Sequence, residues 1–435
     1  MSASRLRMDE FDYELPSSSI AHVPAEPRDS ARLLVDPGPC RAPEHRHVTD
    51  LPSLLGPGDL LVVNETRVMP ARLPLRKRTG GAAEVLLLEP LGRRPSGSDA
   101  AHPRAAARAT APEGSRRATL PPRSDAGWAA LVRPSRRIAN GTVLVSERDP
   151  SVRVVVGERL DRQRRAVSVL VGETPLADVS QARLLERAGE APLPPYIDPD
   201  MARGAIAQRL GVNAADSDAA RTALADRYQT VYARSDGSAA APTAGLHLTE
   251  RVLDALRSNG VSIATVDLTV GLATFAPVTA EHADEHEMHT EHYRVSAQTL
   301  AACAAAVRVV AVGTTTVRAL EAAARQQRDL RVASAKCTPE AACAPPDDHG
   351  DRRGLAPTVS SDISGSTDLF LRRGAEFLLV DALLTNFHLP RSSLLLLIDA
   401  FIGPRWRDLY ETALADGYRF LSFGDAMLLR RTPPS

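Results

Sequence analysis

The chain has 435 residues, which is long enough for two or three domains and a sizeable core. Hydrophobic residues make up 43% and charged residues 24%, both ordinary values for a globular protein. The 53 basic and 53 acidic residues cancel, which excludes attraction of an anionic partner by overall charge. Such a partner must therefore meet a local basic patch.

Cysteine usage and hydropathy predict a cytoplasmic protein. The four cysteines form no closely spaced framework, so we expect a reducing compartment and no disulfides. They are Cys40, Cys303, Cys337 and Cys343. Residues Met1 to Asp12 lack the apolar core of a signal peptide. The apolar stretch Leu394–Ile398 is interrupted by Asp399 and is too short to span a bilayer.

The predicted elements begin with a strand at Leu60–Asn64, which follows the turn pair Gly58-Asp59. Short β-rich runs then recur between residues 73 and 189, with turn residues between them. They are Glu84–Leu88, Trp128–Val132, Gly141–Val145, Val152–Val156 and Val167–Val171. Their regular spacing predicts a small antiparallel barrel or sandwich.

From residue 249 onwards, predicted strands alternate with predicted helices. Thr249 caps a helix that runs through Leu256. The strands are Val261–Val270, Arg308–Val312 and Glu376–Asn386, and further helices are Val317–Arg325 and Ser392–Phe401. Such strand-then-helix units predict a mostly parallel sheet. The predicted fold is therefore α/β: a mostly parallel α/β domain over residues 1–72 and 190–435, interrupted by a smaller antiparallel β-barrel-like domain over residues 73–189.

Three stretches have compositions that cannot offset the entropy of ordering them, and we expect surface insertions there. Residues 92–125 are rich in Pro, Arg, Ser and Ala, without an apolar period. Residues 198–220 mix Ala, Asp and Gly around a possible short helix, and residues 326–367 offer little to bury. The first and last of these are predicted to be flexible.

A possible anion site follows the strand Arg308–Val312. Gly313 is followed by Thr314, Thr315 and Thr316 at the start of the next predicted helix. Free N–H groups and hydroxyls at a helix N-terminus suit a carboxylate or phosphate. Ordinary threonine capping of a strand-to-helix turn explains the same residues.

A loop of small residues runs from Ala240 to His247 and includes Thr243 and Gly245. Small side chains allow the backbone to approach a flat ligand, and His247 could transfer a proton. The alternative is a tight loop that ends in a capping histidine.

The predicted strand at 376–386 ends abruptly in Asn386, Phe387, His388 and Pro390. Ligands of open α/β sheets sit at the carboxyl ends of strands. Asn386 and His388 are therefore predicted to be site residues.

Four histidines crowd the segment from His282 to His292, and its first five residues match the H-x-x-E-H zinc pattern. On a helix His282 and His286 would share a face, as metal ligation requires. The segment lies between strand-like runs, which leaves one or two helical turns, so a zinc hydrolase is kept only as a remote alternative. A second cluster, at Arg133, Arg136 and Arg137, could contact an RNA backbone or be a solvated loop.

Ordered blocks along nearly the whole chain match one known family. They include Phe11-Asp12-Tyr13-Glu14-Leu15-Pro16, the run from Gly58 to Leu73, Leu193–Ile197, the Tyr228–His247 loop, Gly313-Thr314-Thr315, Thr385–Pro390, and Tyr418-Arg419-Phe420 with Gly424-Asp425-Ala426-Met427. With these blocks in this order, the chain resembles the S-adenosylmethionine:tRNA ribosyltransferase-isomerase family of queuosine biosynthesis.

The resemblance implies an enzyme that uses S-adenosylmethionine as a ribosyl-donating substrate. The ribosyl portion is joined to 7-aminomethyl-7-deazaguanine at the tRNA wobble position and rearranged, with loss of adenine and methionine, to give epoxyqueuosine. It further implies no permanently bound cofactor, no metal and no membrane association. A monomer is expected, with tRNA carrying the modified guanine as its partner.

The resemblance also suggests residue roles. His388 is the first candidate for proton transfer and His247 the second, while Thr314 and Thr315 would meet an anion such as the methionine carboxylate. The other expected substrate-binding residues are Tyr228, Gln229, Thr243, Gly245, Thr274, Gly313 and Asn386. The expected tRNA contacts are Arg67, Arg72, Arg133 and Arg136.

The chain departs from the family pattern at three places. Glu65 replaces Asn, Ala273 replaces Gly, and Arg372-Arg373 replaces a Pro-containing turn. A divergent member with another acceptor, or with no activity, stays open as an alternative. A non-catalytic RNA-binding module is harder to reconcile with near-neutral charge and 4% aromatic residues.

Overall fold

The computed structural model describes residues 6–39, 41–91, 127–161, 164–172, 174–175, 181–213, 218–271, 277–286, 288, 290–337 and 361–432. The chain divides into two compact units, Met1–Met69 with Ala191–Ser435, and Pro70–Glu190.

The strands are numbered in chain order. They are β1 Arg32–Asp36, β2 Glu44–His47, β3 Asp59–Asn64, β4 Thr66–Val68, β5 Arg72–Lys77, β6 Ala82–Leu91, β7 Gly127–Arg133, β8 Val143–Ser146, β9 Val152–Arg159, β10 Arg164–Val171, β11 Thr174–Pro175, β12 Ser235–Ser238, β13 Ser262–Leu268, β14 Glu291–Val295, β15 Arg308–Val312, β16 Ile363–Thr367, β17 Ala382–Asn386 and β18 Ala426–Arg430.

The helices are numbered in the same way. They are α1 Leu51–Leu54, α2 Gln181–Ala188, α3 Pro199–Leu210, α4 Asp218–Arg227, α5 Glu250–Ser258, α6 Ala297–Ala305, α7 Thr314–Cys337, α8 Ser393–Ile402 and α9 Trp406–Ala415. Within the described ranges, no helix is long and apolar enough to cross a membrane.

The first unit is built on a mixed nine-stranded sheet. Its order is β16-β14-β13-β3-β15-β17-β18-β1-β2. The pairs β13–β3, β3–β15, β15–β17 and β18–β1 are parallel, and the other four are antiparallel. Every residue of β3 is buried, as expected for a strand with a neighbour on each side and both faces covered.

The prediction of an α/β fold with a separate antiparallel sheet is confirmed, but the prediction of a mostly parallel large sheet is wrong. A single helix between two strands returns the chain for a parallel pairing. Two helices, α8 and α9, lie between β17 and β18, and no α-helix is described between β13 and β14. Both of these pairs are antiparallel.

The second unit holds a seven-stranded antiparallel sheet in the order β11-β10-β7-β6-β5-β8-β9, with an additional pairing between β9 and β10. Burial alternates along β9, where Val152, Val154 and Val156 point inward. Arg165 of β10 is also buried, and its guanidinium donates to the carbonyl oxygen of Ile138 at 2.6 Å. The charge is thus buried with hydrogen-bond partners.

Two of the stretches expected to be poorly ordered contain regular structure. In 198–220, the Asp198 carboxylate caps α3, and Gly211 ends that helix at φ +67°. Ile206 of α3 and Leu224 of α4 share one apolar cluster. In 326–367, α7 continues to Cys337 and β16 begins at Ile363. The remaining residues expected to be flexible, 92–125 and 338–360, lie outside the described ranges.

Candidate active site

A pocket of about 590 Å³, counting space open to solvent, lies at one edge of the large sheet. It is lined by residues 241–244, 313–315, 385–389 and 421–422, together with Tyr196, Val270, Ser392 and Leu394. The helix entrance after β15, the small-residue loop and the end of β17 therefore meet at one hollow. Of the predicted site residues, Thr243, Gly313, Thr314, Thr315, Asn386 and His388 line it.

The helix-entrance side is formed where β15 passes into α7. Gly313 has φ +88°, a left-handed conformation that suits glycine, and α7 begins at the next residue. The Thr316 hydroxyl donates to the carbonyl oxygen of Val312 at 2.6 Å, an ordinary role within the turn. Thr315 is different, because its buried Oγ1 has no hydrogen-bond partner among the described protein atoms. A hydroxyl and helix N–H groups in this arrangement suit a ligand anion.

The small-residue loop ends in a short 3₁₀-helix, Thr243–His247. Gly245 does not line the pocket. A Cβ at this position would lie 2.0 Å from the hydroxyl oxygen of Tyr232 and 2.9 Å from Cγ2 of Thr230. Glycine is therefore required here by packing behind the pocket wall.

Asn386 connects the loop to the end of β17. Its Oδ1 accepts a hydrogen bond from the Thr243 hydroxyl at 3.0 Å, and its Nδ2 lies 2.9 Å from His247 Nε2. Nδ2 also donates to the carbonyl oxygen of Leu421 at 3.2 Å. Leu421 has φ +71°, which is uncommon for a branched residue and costs backbone energy at this wall of the pocket.

His388 is held in the pocket wall from three directions. Its Nε2 lies 3.0 Å from the Thr385 hydroxyl oxygen, and its backbone N–H donates to the Tyr410 hydroxyl. Its carbonyl oxygen accepts from the Tyr13 hydroxyl at 2.5 Å. Burial lowers the pKa of His388 to about 3, so in the empty pocket the imidazole is neutral at pH 7 and a weak base.

His247 is buried behind Asn386 and is not part of the pocket lining. Burial first, and then the positive charges of Arg227, Arg419 and Arg28, lower the pKa of its imidazole to about 3. A neutral histidine that reaches the pocket only through Asn386 is badly placed to exchange protons with a ligand.

Two other predicted substrate-binding residues, Tyr228 and Gln229, also lie behind the wall. Tyr228 is fully buried, and its hydroxyl accepts a long hydrogen bond from the Ala241 N–H at 3.4 Å. The Gln229 amide is engaged with the backbone of Val68, to which it donates at 2.7 Å and from which it accepts at 3.0 Å. These groups support the loop and do not line the pocket. Thr274 lies outside the described residues, as does Ala273.

The predicted tRNA contacts belong to both units, and each is described separately. In the first unit Arg67 is 58% exposed and lies 3.9 Å from Asp236. In the second unit Arg72 donates to Glu84 at 2.7 Å, which restrains its guanidinium. Arg133 is exposed at the end of β7, and Arg136 follows in the 3₁₀-helix Ser135–Arg137.

Sequence reasoning missed the pocket residues Tyr196 and Ser422. Their hydroxyl oxygens lie 2.6 Å apart, and both residues line the pocket. Burial raises the pKa of Tyr196, which keeps the phenol protonated. Tyr196 stands in the Pro-Pro-Tyr block and Ser422 near the Tyr-Arg-Phe block, but neither sits at a strand end or helix entrance that would mark its side chain.

From His282 to His286, all described, the chain forms a three-residue 3₁₀-helix, Ala283–Glu285, so these two histidines do not share the helical face that the zinc pattern requires. His292 lies in β14, where its Nδ1 is 3.0 Å from the Ser366 hydroxyl oxygen. Within the described ranges, no three His, Cys, Asp or Glu side chains come together in a group able to hold a metal ion.

The departures at 65 and 372–373 lie outside the pocket lining. Arg373 pairs with the fully buried carboxylate of Asp399 at 3.1 Å and with Glu10 at 3.2 Å, and Arg372 pairs with Asp284. Burial raises the pKa of Glu65, and the nearby Asp267 carboxylate raises it further. The two arginines thus form ion pairs, and the turn itself is retained, because the Ala375 N–H donates to the carbonyl oxygen of Arg372 at 2.8 Å.

Fold and pocket together define an α/β protein with a hollow at the strand ends of a mixed sheet. The family model described as "Queuosine biosynthesis protein" matches residues 8–429. The chain belongs to this family.

Relatives named S-adenosylmethionine:tRNA ribosyltransferase-isomerase match over nearly the full length. The protein from Moorella thermoacetica is 42% identical over 433 residues, covering 98% of this chain and 100% of the relative. The one from Rubrobacter xylanophilus is 41% identical and covers 98% of each. The crystal structure of S-adenosylmethionine tRNA ribosyltransferase from Thermotoga maritima is 29% identical, covers 96% of this chain and 99% of its own, and gives a TM-score of 0.43.

Proposed function

We propose that the chain transfers and isomerises the ribosyl moiety of S-adenosylmethionine onto 7-aminomethyl-7-deazaguanine at the tRNA wobble position, forming epoxyqueuosine and releasing adenine and methionine. The observation that carries this proposal is the convergence of three segments on one pocket, in a chain that matches the family from residue 8 to residue 429. A single hollow that has a helix N-terminus on one side and apolar side chains on another suits a donor such as S-adenosylmethionine.

The donor's carboxylate is proposed to meet the N-terminus of α7 at Thr314 and Thr315. The pocket lining, all of it within the described ranges, contains no Asp, Glu, Lys or Arg. Neutral donors and the helix dipole are then the groups available for the carboxylate. The apolar side chains of Val270 and Leu394 offer walls for the uncharged parts of the nucleoside.

His388 is proposed to transfer the protons. The sulfonium acidifies the adjacent ribose C5′–H, so a neutral imidazole can take that proton, and the imidazolium can return it as adenine departs. The substrate amine must be neutral and held close to the sugar. His388 is the histidine that lines the pocket, and Tyr196 is the other titratable side chain there.

The tRNA is proposed to meet exposed arginines, because phosphate contacts supply most nucleic-acid affinity. Arg67 and Arg133 have exposed side chains, and Arg136 belongs to the same cluster as Arg133. Arg72 would have to leave Glu84 to reach a phosphate. Thr274 remains a proposed contact to the substrate.

We further infer that the second unit is a closed barrel-like domain. The linear order of its sheet starts near β10 and ends at β9, and the β9–β10 pairing joins these two strands. Closure removes free sheet edges, which small antiparallel domains must otherwise protect.

The decisive experiment incubates the protein with S-adenosylmethionine and tRNA that carries the aminomethyl-deazaguanine. We expect stoichiometric free adenine and methionine, and epoxyqueuosine in the digested tRNA by mass spectrometry. The matched control is the same tRNA with unmodified guanine, which should give no product. Adenine release without a modified nucleoside would point to another acceptor, and no adenine release would contradict the proposal.

A further inference from the structure

The orientation of the Asn386 side-chain amide is set by its surroundings. Nδ2 faces three acceptors: His247 Nε2 at 2.9 Å, and the carbonyl oxygens of Leu421 at 3.2 Å and Asp425 at 3.4 Å. A flipped amide would place Oδ1 against two carbonyl oxygens, with no hydrogen atom between them. Because Asn386 is buried, such a loss of hydrogen bonds would carry a desolvation cost.

A fixed amide also fixes the hydroxyl of Thr243. With Oδ1 turned toward the loop, the Thr243 hydroxyl donates its one proton to Asn386 at 3.0 Å. A threonine hydroxyl has one proton and two lone pairs, so the group that remains for a ligand is an acceptor. Thr243 lines the pocket.

The tautomer of His247 is set by the same contact. His247 Nε2 must carry a lone pair to accept from Asn386 Nδ2, which requires a neutral imidazole protonated at Nδ1. Its neutrality is supported by burial and by the three arginines around it, Arg28, Arg227 and Arg419. A protonated His247 would bring an N–H against the N–H of Asn386 and break the chain of hydrogen bonds.

We propose that His247 is a positioning residue which, through Asn386, helps to make Thr243 a hydrogen-bond acceptor for an O–H or N–H donor of S-adenosylmethionine. The inference rests on the proposed function and adds to it a determinant of donor specificity. His247 then acts through the binding of the donor, and it takes no part in proton transfer.

The test compares Thr243→Val, His247→Leu, the double variant and His247→Gln in steady-state adenine release. Thr243→Val should raise the KM for S-adenosylmethionine about tenfold with little change in kcat, since one hydrogen bond of binding is lost. His247→Leu should raise the KM by a smaller factor, because the carbonyl oxygens of Leu421 and Asp425 still face Nδ2 of Asn386. The double variant should be no worse than Thr243→Val alone, because both changes remove the same contact. His247→Gln offers a new acceptor to Asn386 and should give a KM between that of wild type and that of His247→Leu.

A second arm identifies the ligand group that donates. S-adenosylmethionine analogues without the 2′-hydroxyl, the 3′-hydroxyl, the adenine amino group or the methionine amino group are compared in wild type and Thr243→Val. One analogue should be disfavoured about tenfold or more by wild type, and the variant should no longer distinguish it from S-adenosylmethionine.

The outcomes separate the two proposals. No adenine release by wild type refutes the proposed function itself. If wild type is active, three results would each overturn the positioning role and leave the proposed function intact. The first is that the effects of the two single changes on KM are additive, and the second is that His247→Gln abolishes kcat. The third is that Thr243→Val changes the discrimination against none of the analogues. If His247→Leu does not fold, the His247→Gln and Thr243→Val arms still decide.

Discussion

Arg318 of α7 and Glu291 of β14 form a salt bridge in which both side chains are almost fully buried, with 4% and 2% of their surfaces exposed. The Arg318 Nε also donates to the carbonyl oxygen of Leu369 at 3.2 Å. The pair fixes the first turns of α7 against the sheet, close to the threonines of the pocket.

Removal of one partner should strongly destabilise the protein, because the charge of the other would stay buried without a counter-ion. Glu291→Gln should lower the free energy of unfolding by about 3–5 kcal/mol. Asp362→Asn, which breaks the exposed pair with Arg294 of the same strand, should cost less than about 1 kcal/mol. Urea unfolding measures both. Equal losses would contradict the assignment of a buried structural pair.

His388→Asn should abolish most adenine release while leaving the fold intact. The expected fall in kcat is about 10²- to 10⁴-fold, the usual contribution of a positioned acid or base. The control is His45→Asn, since His45 is 40% exposed in the edge strand β2 and contacts Asp416 and Tyr418. It should keep wild-type turnover. Near-normal turnover by His388→Asn would remove this residue from the mechanism.

Stability should fall when the pH drops below about 6.5. The folded-state pKa values of His247 and His388 are lowered to about 3, whereas unfolded histidine has its ordinary value of about 6.5. Between these limits the unfolded chain binds protons that the folded chain does not, so protonation favours unfolding as the pH decreases. The loss approaches about 1.4 kcal/mol per pH unit for each histidine.

Urea unfolding between pH 7.5 and 5.0 tests this pH dependence. His388→Gln removes one of the two buried imidazoles. It should therefore reduce the change in the free energy of unfolding per pH unit by the contribution of roughly one proton. An unchanged slope would mean that His388 is protonated as readily in the folded state as in the unfolded one.

Thr315→Val should separate stability from binding. Its buried hydroxyl has no partner among the described protein atoms, so its removal should leave the free energy of unfolding unchanged or raise it by about 1 kcal/mol. The KM for S-adenosylmethionine should nevertheless rise about tenfold, because a ligand anion loses a donor. Thr315→Ser retains the hydroxyl and should behave as wild type. A Val variant with an unchanged KM would exclude Thr315 from the anion contact.

Gly245→Ala should destabilise the protein by about 1–3 kcal/mol, because the new Cβ would overlap the Tyr232 hydroxyl. Gly204→Ala is the matched control in α3, where a Cβ meets no atom within 4 Å. That change should stabilise by about 0.5–1 kcal/mol, as alanine does in a helix interior. Thermal unfolding of both variants should show a lower midpoint for Gly245→Ala and a higher midpoint for Gly204→Ala than for wild type.

The sequence predicts the unit of β15 and α7 at the centre of the site, but it does not predict where α7 begins. A helix was expected from Val317, whereas α7 begins at Thr314. β-Branched threonines have a modest helix propensity and favour the N-cap position, so they are expected before the helix and not inside it. Here Thr316 satisfies its hydroxyl on Val312 and is accommodated in the first turn.

The predicted strand at 376–386 is longer than β17, because a distant residue binds the backbone of its first half. Residues 376–386 are largely apolar and read as one strand, but β17 covers only Ala382–Asn386. The N–H groups of Leu378, Leu379 and Val380 instead donate to the Glu321 carboxylate, at 2.8–3.1 Å. No local pattern reveals a partner nearly sixty residues away. The hidden roles of His247 and Gln229 have the same origin, because their partners are fixed only by the tertiary fold.

Glu321 has a consequence for the geometry of the reaction. It belongs to the same helix as Thr314, and it anchors the chain that leads directly into the strand ending in Asn386. The helix α7 thus carries the threonines proposed to bind an anion and also positions the segment that leads to Asn386 and His388. A shift of α7 would therefore move the threonines at its N-terminus and, through Glu321, the segment that enters β17 in the same direction.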